Sequence, residues 1–392
     1  MHIVHLSLTS FRNYTQLEFE FPPEISVFQG ANAQGKSNLL ESIYLLATTR
    51  LSRSVPDREL INWIDAREKM AFARVAAEIQ RDTRSIQLDI FLQPRSTTHY
   101  ETGATFPPIQ KYIRVNGIAR RAVDLMGQLN MVMFSPRDID LIDGEPSLRR
   151  RHIDITNSQV NPQYLRSLQR YNRIVSQRNR LLRQIALGQS RVDELAFWDQ
   201  EMVKSGSYIV FQRQQALGKL NELASPIHDQ LSGGKENLNI HYHRSIDSGV
   251  AEFDDLGDVE QIFNEALSAA RERDLARGVS SIGPHRDDLK FIVNEVDMGS
   301  YGSRGQQRTV ALSLKLAEAK FMLTQTGEAP VLLLDDVLSE LDMERRQHLL
   351  QTVSDYQQVL MTTTDLDRFP SDFLSRAEKF TVENGTITKS PF

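Results

Sequence analysis

The stretch that decides the fold is Gly30-Ala31-Asn32-Ala33-Gln34-Gly35-Lys36-Ser37-Asn38. It matches the pattern G-x-x-x-x-G-K-S, which is the pattern of a phosphate-binding P-loop. Glycine at both ends lets the backbone curl, so that successive N–H groups point inward at phosphate oxygens. Lys36 is then placed to reach the β- and γ-phosphates, and the Ser37 hydroxyl to bind Mg²⁺. Residues 30–37 are therefore predicted to bind a nucleotide, with ATP and Mg²⁺ as the expected cofactors.

The residues on either side of this loop support that prediction. Residues 25–28 are apolar or small and predict a short buried strand, whereas residues 39–47 predict a helix. A helix that begins at the loop offers the positive end of its dipole to a bound phosphate. We would not expect a chance match to the pattern to lie between a predicted strand and a predicted helix.

A second motif with acidic residues stands at positions 331–336, which read Val-Leu-Leu-Leu-Asp-Asp. Four apolar residues predict a buried strand, and the carboxyl end of such a strand is where ligands bind in open α/β sheets. Asp335 is predicted to join the Mg²⁺ shell. Asp336 is a candidate general base that holds the attacking water. The alternative is a strand that simply ends in two solvated acids.

Two segments are candidates for the signature loop that marks ATP-binding-cassette heads. Leu231-Ser-Gly-Gly234 is closer in letters, but it precedes a predicted strand and lies far before the acidic motif. Ser303-Arg304-Gly305-Gln306 opens a predicted helix, where a hydroxyl and a glycine N–H form an anion site. We predict that Ser303, Gly305 and Gln306 are the signature and that 231–234 is a turn. In such heads the signature faces away from its own P-loop, so it is expected to bind a second subunit's γ-phosphate.

Composition limits the class of protein. The chain has 392 residues, of which 40% are hydrophobic and 25% charged, as in soluble globular proteins of two or three packed units. No cysteine is present, so disulfides and thiolate metal sites are excluded. The N-terminus is too polar for a secretory signal, and no apolar run reaches about 18 residues. We expect a cytoplasmic protein without a membrane partner.

Positive charge is concentrated in one part of the chain. Residues 149–191 contain ten arginines and a single acid, Asp154, so the net charge of this segment is +9, while that of the whole chain is −5. The net charge of the remaining residues is therefore −14. Such segregation is typical of an electrostatic contact with nucleic acid.

The clearest helical pattern covers residues 163–187, and a second helix is predicted over about 192–224. At about 100° per residue, apolar side chains of the first helix share one face, and a set of arginines shares the other. Two antiparallel helices of this length form an arm. The arginine face is predicted to bind DNA, and the alternative is a solvated, solubilising face. Its members are Arg166, Arg170, Arg173 and Arg180.

The order of predicted elements suggests a discontinuous head. Strands and hairpins dominate residues 1–134, including a hairpin with an Asn116-Gly117 turn and second strand over 118–123, and residues 93–110 are predicted as an exposed loop. Residues 135–278 are mainly helical and carry the basic face, and residues 279–392 alternate strands and helices as in a parallel sheet. We predict an α/β P-loop NTPase with an inserted helical arm, in which the P-loop strand lies beside the 331–334 strand.

Several motifs together give a specific resemblance. Besides the P-loop, they are Phe134-Ser-Pro, Gly144-x-Pro-x-x-Arg-Arg-Arg151-His-Ile-Asp154, Gly283-Pro-His-Arg-Asp-Asp-Leu289, Ser303-x-Gly-Gln, and Leu332-Leu-Leu-Asp-Asp-x-x-Ser339-Glu-Leu-Asp342. In these features the chain resembles, nearly end to end, the RecF family of bacterial recombination mediators, whose head is like those of SMC ATPases.

The resemblance implies a function. Family members bind single-stranded or gapped DNA, dimerise on ATP, hydrolyse it slowly as a DNA-dependent switch, and work with RecR and RecO to load RecA at gaps, in repair linked to the SOS response. Ser339 and Asp342 would belong to a dimer-contacting D-loop. Arg12 would match a phosphate-contacting basic residue, although the pattern alone fits a solvated turn.

Two positions depart from the wider cassette group, and two other functions stay open. Asp336 replaces the usual glutamate and Thr363-Thr364 stands where a switch histidine is common, so slow turnover is expected. An ATPase subunit that drives a membrane transporter is the main alternative, but transport heads lack a basic arm. A small-molecule P-loop kinase leaves Ser303–Gln306 and Ser339–Asp342 unexplained.

Overall fold

The computed structural model describes residues 1–51, 56–62, 72–82, 84–94, 108–246, 249 and 252–390. The chain divides into two compact units, one formed by Met1–Pro136 with Met322–Phe392 and the other by Arg137–Phe321. Compactness alone does not define a domain, so the division after residues 134 and 278 stays a prediction. Residues 95–107 of the predicted 93–110 loop lie outside the described residues, and its two ends belong to the strands Arg84–Pro94 and Ile109–Val115 instead of a loop.

The elements of the two units follow one another along the chain. The first unit begins with β1 (His2–Phe11), β2 (Tyr14–Glu20), β3 (Ile25–Gln29), α1 (Lys36–Thr48), β4 (Ala73–Arg81), β5 (Arg84–Pro94), β6 (Ile109–Val115), β7 (Ile118–Arg120), α2 (Ala122–Leu125) and β8 (Met131–Phe134). The second unit contains α3 (Asp140–Asp143), α4 (Pro146–Val160), α5 (Pro162–Ala186), α6 (Leu195–Leu231), β9 (Leu238–His243), α7 (Leu256–Arg277), β10 (Asp288–Val293), β11 (Val296–Asp297), α8 (Met298–Tyr301) and most of α9 (Arg304–Thr326). The first unit resumes with β12 (Val331–Asp335), α10 (Met343–Val353), β13 (Val359–Thr363), α11 (Ser371–Arg376), β14 (Glu378–Glu383) and β15 (Thr386–Lys389).

A mainly parallel sheet of the first unit carries the P-loop. Its strand order is β15-β14-β3-β13-β12-β8. β3 pairs in parallel with β13 on one side and β14 on the other, whereas β12 pairs with β13 and β8. The prediction that the P-loop strand lies beside the 331–334 strand is therefore wrong. An apolar run identifies a buried strand but not its neighbour, and β13 is as buried as β12.

An antiparallel sheet in the same unit has the order β2-β1-β4-β5-β6-β7. It contains the predicted hairpins, including β6–β7, whose turn residues Asn116 and Gly117 both have positive φ. The second strand of that hairpin ends at Arg120, not at residue 123 as predicted. The Asp124 carboxylate accepts a hydrogen bond of 3.2 Å from the Arg121 N–H, and this contact starts α2 in place of the strand.

The helix after the P-loop is anchored in the core of this unit. Leu39, Ile43 and Leu46 of α1 are fully buried in one apolar cluster that also contains Leu8 of the antiparallel sheet and Leu333 of the parallel sheet. Burying one such side chain stabilises the fold by about 1.5–3 kcal/mol. The first residues of α1 are therefore held on a rigid element.

The helical hairpin α5–α6 is the main feature of the second unit. α5 begins at Pro162, and the Asn161 side chain accepts hydrogen bonds of 3.0 Å from the N–H groups of Gln163 and Tyr164, an effective N-terminal cap. α6 continues to Leu231, beyond the predicted end at residue 224, because its last turns are buried. The predicted helical arm is thus present, and its second helix is longer than expected.

The polar turn at 283–288 is a partly buried hub of the second unit. Asp288 forms an ion pair with Arg149, with Arg149 Nε 2.7 Å from Asp288 Oδ1. His285 Nδ1 lies 2.7 Å from the Tyr171 hydroxyl, and burial lowers the pKa of His285 to about 4. A neutral, enclosed imidazole of this kind has a structural role, since its two ring nitrogens are both engaged within the unit.

Candidate nucleotide-binding site

The P-loop between β3 and α1 includes two residues in left-handed conformations. Ala33 has φ 65° and Gly35 has φ 116°, the kind of turn in which backbone N–H groups converge on an anion. A Cβ at Gly35 would lie 2.6 Å from Asn13 Nδ2, and one at Gly30 would collide with the carbonyl oxygen of Val382. Both glycines of the motif are therefore needed for close approach of the backbone, and Gly35 also for its left-handed conformation.

Lys36 folds back over the loop. Its Nζ donates hydrogen bonds to the carbonyl oxygens of Gly30 at 2.7 Å and Ala31 at 2.8 Å. Burial lowers the pKa of Lys36, and the carboxylates of Asp336 and Asp335 oppose this shift. A phosphate is a stronger acceptor for an ammonium group than a neutral carbonyl. The lysine is thus placed to exchange its carbonyl partners for a triphosphate.

Two turns from distant parts of the chain hold Gln34. Asn13 Nδ2 and the Gly385 N–H each donate to the Gln34 carbonyl at 3.0 Å. The Asn384 N–H donates to the Gln34 side-chain Oε1 at 2.8 Å. Neither Asn13 nor Asn384 was predicted from the sequence to contact the P-loop. The only available signal was the Asn384-Gly385 dipeptide, which predicts a tight turn but not what the turn contacts.

The carboxyl end of the loop has a further support that the sequence analysis missed. The buried Tyr14 hydroxyl donates to the Gly35 carbonyl at 3.0 Å, and burial raises the pKa of Tyr14. Asn38 Nδ2 donates to Asn13 Oδ1 at 2.8 Å. The β1–β2 turn and the P-loop are therefore bound together by hydrogen bonds of their own.

Ser37 and Asp335 meet although they are 298 residues apart in the chain. Ser37 Oγ donates to Asp335 Oδ1 at 2.8 Å, and Thr362 Oγ1 donates to the same oxygen at 2.8 Å. Thr362 comes from β13, the strand that separates β3 from β12. Because Mg²⁺ prefers oxygen ligands, this hydroxyl and carboxylate suit it. Among the described residues no group of three or more acidic or histidine side chains is placed to hold a metal, and Mg²⁺ commonly binds through few side chains plus phosphates.

Asp336 stands next to this pair in a strained conformation. Its φ is 49°, and its N–H donates to Thr362 Oγ1 at 3.0 Å. Its Oδ1 atom is buried and accepts no hydrogen bond from the part of the chain that the structure describes. Burial raises the pKa of Asp336. Since buried polar atoms are normally paired, an unpaired carboxylate oxygen here suits a water molecule.

The remaining predicted residues of this unit also have defined contacts. Arg12 is not a solvated turn residue, because its Nη2 lies 3.1 Å from Glu41 Oε2 of α1. Ser339 Oγ donates to the Asp336 carbonyl at 2.6 Å. Asp342 caps α10, accepting a hydrogen bond of 3.0 Å from the Arg345 N–H. The D-loop candidates are therefore connected to the acidic strand through Ser339.

The predicted signature loop lies in the second unit, at the start of α9. Ser303 and Gln306 form a reciprocal cap: the Ser303 N–H donates to Gln306 Oε1 at 3.1 Å, and the Gln306 N–H donates to Ser303 Oγ at 3.3 Å. Such a cap satisfies two N–H groups of the helix end. Ser303 and Gly305 are exposed. Of the predicted turn at 231–234, residues 232–234 form a turn after α6, whereas Leu231 is the last residue of that helix.

The arginine face of α5 is exposed. Arg166, Arg170, Arg173 and Arg180 all reach solvent. Arg170 is paired with Glu201 of α6, whereas no ion pair with the other three is found among the described residues. The charge of the 149–191 segment overstates its basic surface, because Arg178 is fully buried between Asp199 and Asp274, each at 2.7 Å.

Comparison with known proteins points to the same family as the motifs in the sequence. The family model described as RecF/RecN/SMC N terminal domain matches residues 2–385. The DNA replication and repair protein RecF of Chloroflexus aurantiacus is 45% identical over 396 aligned residues, covering 99% of both chains. That of Bacillus subtilis is 38% identical, covering 99% of this chain and 100% of the relative.

Solved structures agree with the sequence relatives. The recombination mediator protein RecF with ATP, from the RecFOR pathway, has a TM-score of 0.85 and 31% identity, covering 100% of this chain and 98% of that one. An SMC head bound to ScpA has a TM-score of 0.53 at 14% identity, covering 100% of this chain and 97% of that one, a likeness in fold alone. No described helix combines the length and apolar character needed to cross a membrane. The predicted SMC-head fold is confirmed, and the chain belongs to the RecF family.

Proposed function

We propose that the protein is an ATP-dependent DNA-binding protein of DNA replication and recombinational repair. The observation that carries this proposal is the 2.8 Å contact between Ser37 Oγ and Asp335 Oδ1, which joins the P-loop and the acidic strand in one site. The full-length match to RecF proteins, one of them solved with ATP, favours this function over the transport alternative. RecO and RecR, the other components named in that pathway, are the proposed protein partners, with RecA loaded at gaps.

In the proposed mechanism the described side chains bind and orient the triphosphate. The N–H groups of residues 30–37 and the Lys36 ammonium hold the phosphates, and Ser37 and Asp335 hold the Mg²⁺ ion. Bound Mg²⁺ would compensate charge on the β- and γ-phosphates. Asp336 holds the attacking water and takes its proton. Thr362 keeps Asp335 and the backbone of Asp336 in place through hydrogen bonds of 2.8 and 3.0 Å.

ATP is also the proposed control of assembly. The P-loop belongs to one compact unit and the signature loop to the other, and Ser303 and Gly305 stand exposed at a helix N-terminus, where an anion binds favourably. Two chains related by a two-fold axis can each present this loop to the other's nucleotide. ATP then stabilises the dimer because it binds the dimer better than the monomer.

The DNA contact is proposed to involve the exposed arginine face of α5. Replacing Arg166, Arg170, Arg173 and Arg180 with alanine should weaken retention on gapped or single-stranded DNA, measured with and without ATP. Phosphate contacts release counterions, so each lost contact should flatten the slope of log affinity against log salt by about 0.7 on single-stranded and about 0.9 on duplex DNA. A salt titration by fluorescence anisotropy measures this slope.

The matched control for that experiment replaces the same four residues with lysine, which keeps the charge and should keep the slope. Alanine and wild-type proteins with equal slopes would place the DNA contact elsewhere. If neither the wild type nor the lysine variant binds DNA at physiological salt, the proposed function itself is contradicted.

Slow hydrolysis is proposed to follow from Asp336, whose side chain is one methylene shorter than glutamate. Asp336→Asn should lower kcat by about 100-fold, the usual scale of general-base catalysis, while ATP stays bound and the dimer stays closed. Because burial raises the pKa of Asp336 and a base must be ionised, wild-type activity should fall as pH decreases through that raised value. The variant should lose this acidic limb, which a steady-state pH profile measures.

The exposed carboxylate of Asp372 provides the control, since Asp372→Asn changes the same group on the surface of α11. It should hydrolyse ATP like the wild type. Normal hydrolysis by Asp336→Asn would mean that another residue is the base.

A further inference from the structure

One carboxylate in the second unit links the signature loop to the helical arm. Glu236 follows the turn that ends α6, and its Oε1 atom accepts a hydrogen bond of 2.8 Å from Gln306 Nε2. Its other oxygen, Oε2, lies 3.1 Å from His228 Nε2. His228 stands in the last turns of α6 and is fully buried. The Glu236 N–H also donates to Ser232 Oγ at 3.2 Å, so Glu236 links the two segments that resembled a signature loop in sequence.

The contacts of His228 indicate whether Glu236 donates or accepts in its hydrogen bond with the imidazole. His228 Nδ1 lies 3.1 Å from Ser313 Oγ of α9, whose hydroxyl can donate to this nitrogen or accept from it. An ionised carboxylate has no proton to donate, so Glu236 is satisfied at Nε2 by an N–H, which the neutral imidazole carries there when Ser313 donates to Nδ1. Glu236 thus acts as acceptor on both sides, from the imidazole of α6 and from the amide of Gln306.

The amide of Gln306 is held at both ends. Its Nε2 donates to Glu236, and its Oε1 accepts from the Ser303 N–H at 3.1 Å. A side-chain amide that is free to flip would offer Nε2 to the Ser303 N–H, where two donors would meet. The acceptor at Glu236 therefore selects the orientation in which Gln306 holds the Ser303 backbone.

We propose that Glu236 is a positioning residue of the signature loop, which fixes the Gln306 amide and thereby sets where Ser303 stands when a second chain's nucleotide docks. This inference rests on the ATP-dependent dimer of the proposed function. Glu236 acts through Gln306, whose Nε2 donates to it. Because the same carboxylate is bound to α6, the loop position is tied to the second helix of the arm.

The test compares three variants of the full-length protein. Glu236→Ala removes the acceptor, so ATP-driven dimerisation and kcat should each fall about tenfold, as expected for the loss of one hydrogen bond to a charged group. Nucleotide affinity of the monomer should stay within about twofold, because the P-loop supports are all in the first unit. Glu236→Gln should retain activity, since its Oε1 still accepts from Gln306 and its Nε2 can donate to a neutral His228. Glu222→Ala, an exposed change on α6, is the control.

A mixing experiment separates positioning from a general folding defect. The Glu236→Ala chain keeps its P-loop and the Lys36→Ala chain keeps its signature loop, so each heterodimer in a mixture of the two should have one intact composite site and about half the wild-type activity. Light scattering with ATP and an ATPase assay provide the two readouts. Failure of the mixture to recover activity, or a Glu236→Gln protein as impaired as Glu236→Ala, would overturn the inference, as would normal dimerisation of Glu236→Ala. A wild-type protein that does not dimerise with ATP would instead contradict the proposed function.

Discussion

Lys36→Ala is expected to abolish ATP-dependent behaviour, with hydrolysis reduced by about 100-fold or more, the scale seen when a preorganised charge-stabilising group is removed from an active site. The Lys36 Nζ is within 2.8 Å of the carbonyl oxygens of Gly30 and Ala31. Without the Lys36 ammonium, the carbonyl oxygens of Gly30 and Ala31 would face the negatively charged triphosphate with no lysine between them. Binding of a fluorescent ATP analogue, measured with steady-state hydrolysis, tests this prediction.

The appropriate control for that change is Lys389→Ala. Lys389 is exposed and lies 2.8 Å from Glu378 in the same unit, so its removal changes net charge equally but leaves the loop intact. Hydrolysis by this control should match the wild type. Unchanged activity in Lys36→Ala would show that residues 30–37 are not the nucleotide site.

Ser303→Arg is expected to reduce ATP hydrolysis as strongly as Lys36→Ala does, but by preventing dimerisation and not nucleotide binding. The exposed serine starts α9, and an arginine there would place a long side chain where the γ-phosphate of a second chain has to dock. Monomer nucleotide binding should stay nearly unchanged, because the P-loop and its supports belong to the other compact unit. Dimerisation and hydrolysis should both be lost. Light scattering in the presence of ATP measures the first, and an ATPase assay the second.

A mixture of Ser303→Arg with Lys36→Ala should regain activity. One composite site then forms from Lys36 of the first variant and Ser303 of the second. Ser268→Arg, which adds the same charge at an exposed position of α7, serves as control and should dimerise normally. A Ser303→Arg protein that still dimerises with ATP would mean that residues 303–306 are not the signature loop.

The elements that the sequence predicted well are those that depend on near neighbours. The spacing of Gly30, Gly35 and Lys36 specifies a loop whose backbone turns within a few residues, and the helix after it follows from the apolar pattern of α1. The start of α9 is similar, because Ser303 and Gln306 cap the helix by contacts across three residues. β12 was recognisable from its apolar run, although its neighbour in the sheet was not.

The features that were not predicted depend on packing between residues that are distant in the chain. The contact of Thr362 with Asp335 was not predicted, because β3 was expected beside β12 and the intervening β13 carries the threonine. Asn13 and Asn384 were not predicted either, because hairpin turns show their own conformation in sequence but not the loop they contact. The basic surface is smaller than predicted, because Arg178 is neutralised by Asp274, 96 residues further along the chain.

From the sequence alone come the residues of the candidate nucleotide site, namely a loop with glycine, lysine and serine between a strand and a helix, and two acids at the end of an apolar strand. These features are encoded in local backbone conformation and in the period of apolar residues. Only the folded chain shows which groups contact them, including Tyr14 at Gly35 and Thr362 at Asp335. Their contacts join segments that are distant in the chain, and such contacts are selected by the packing of the whole unit, which no local pattern records.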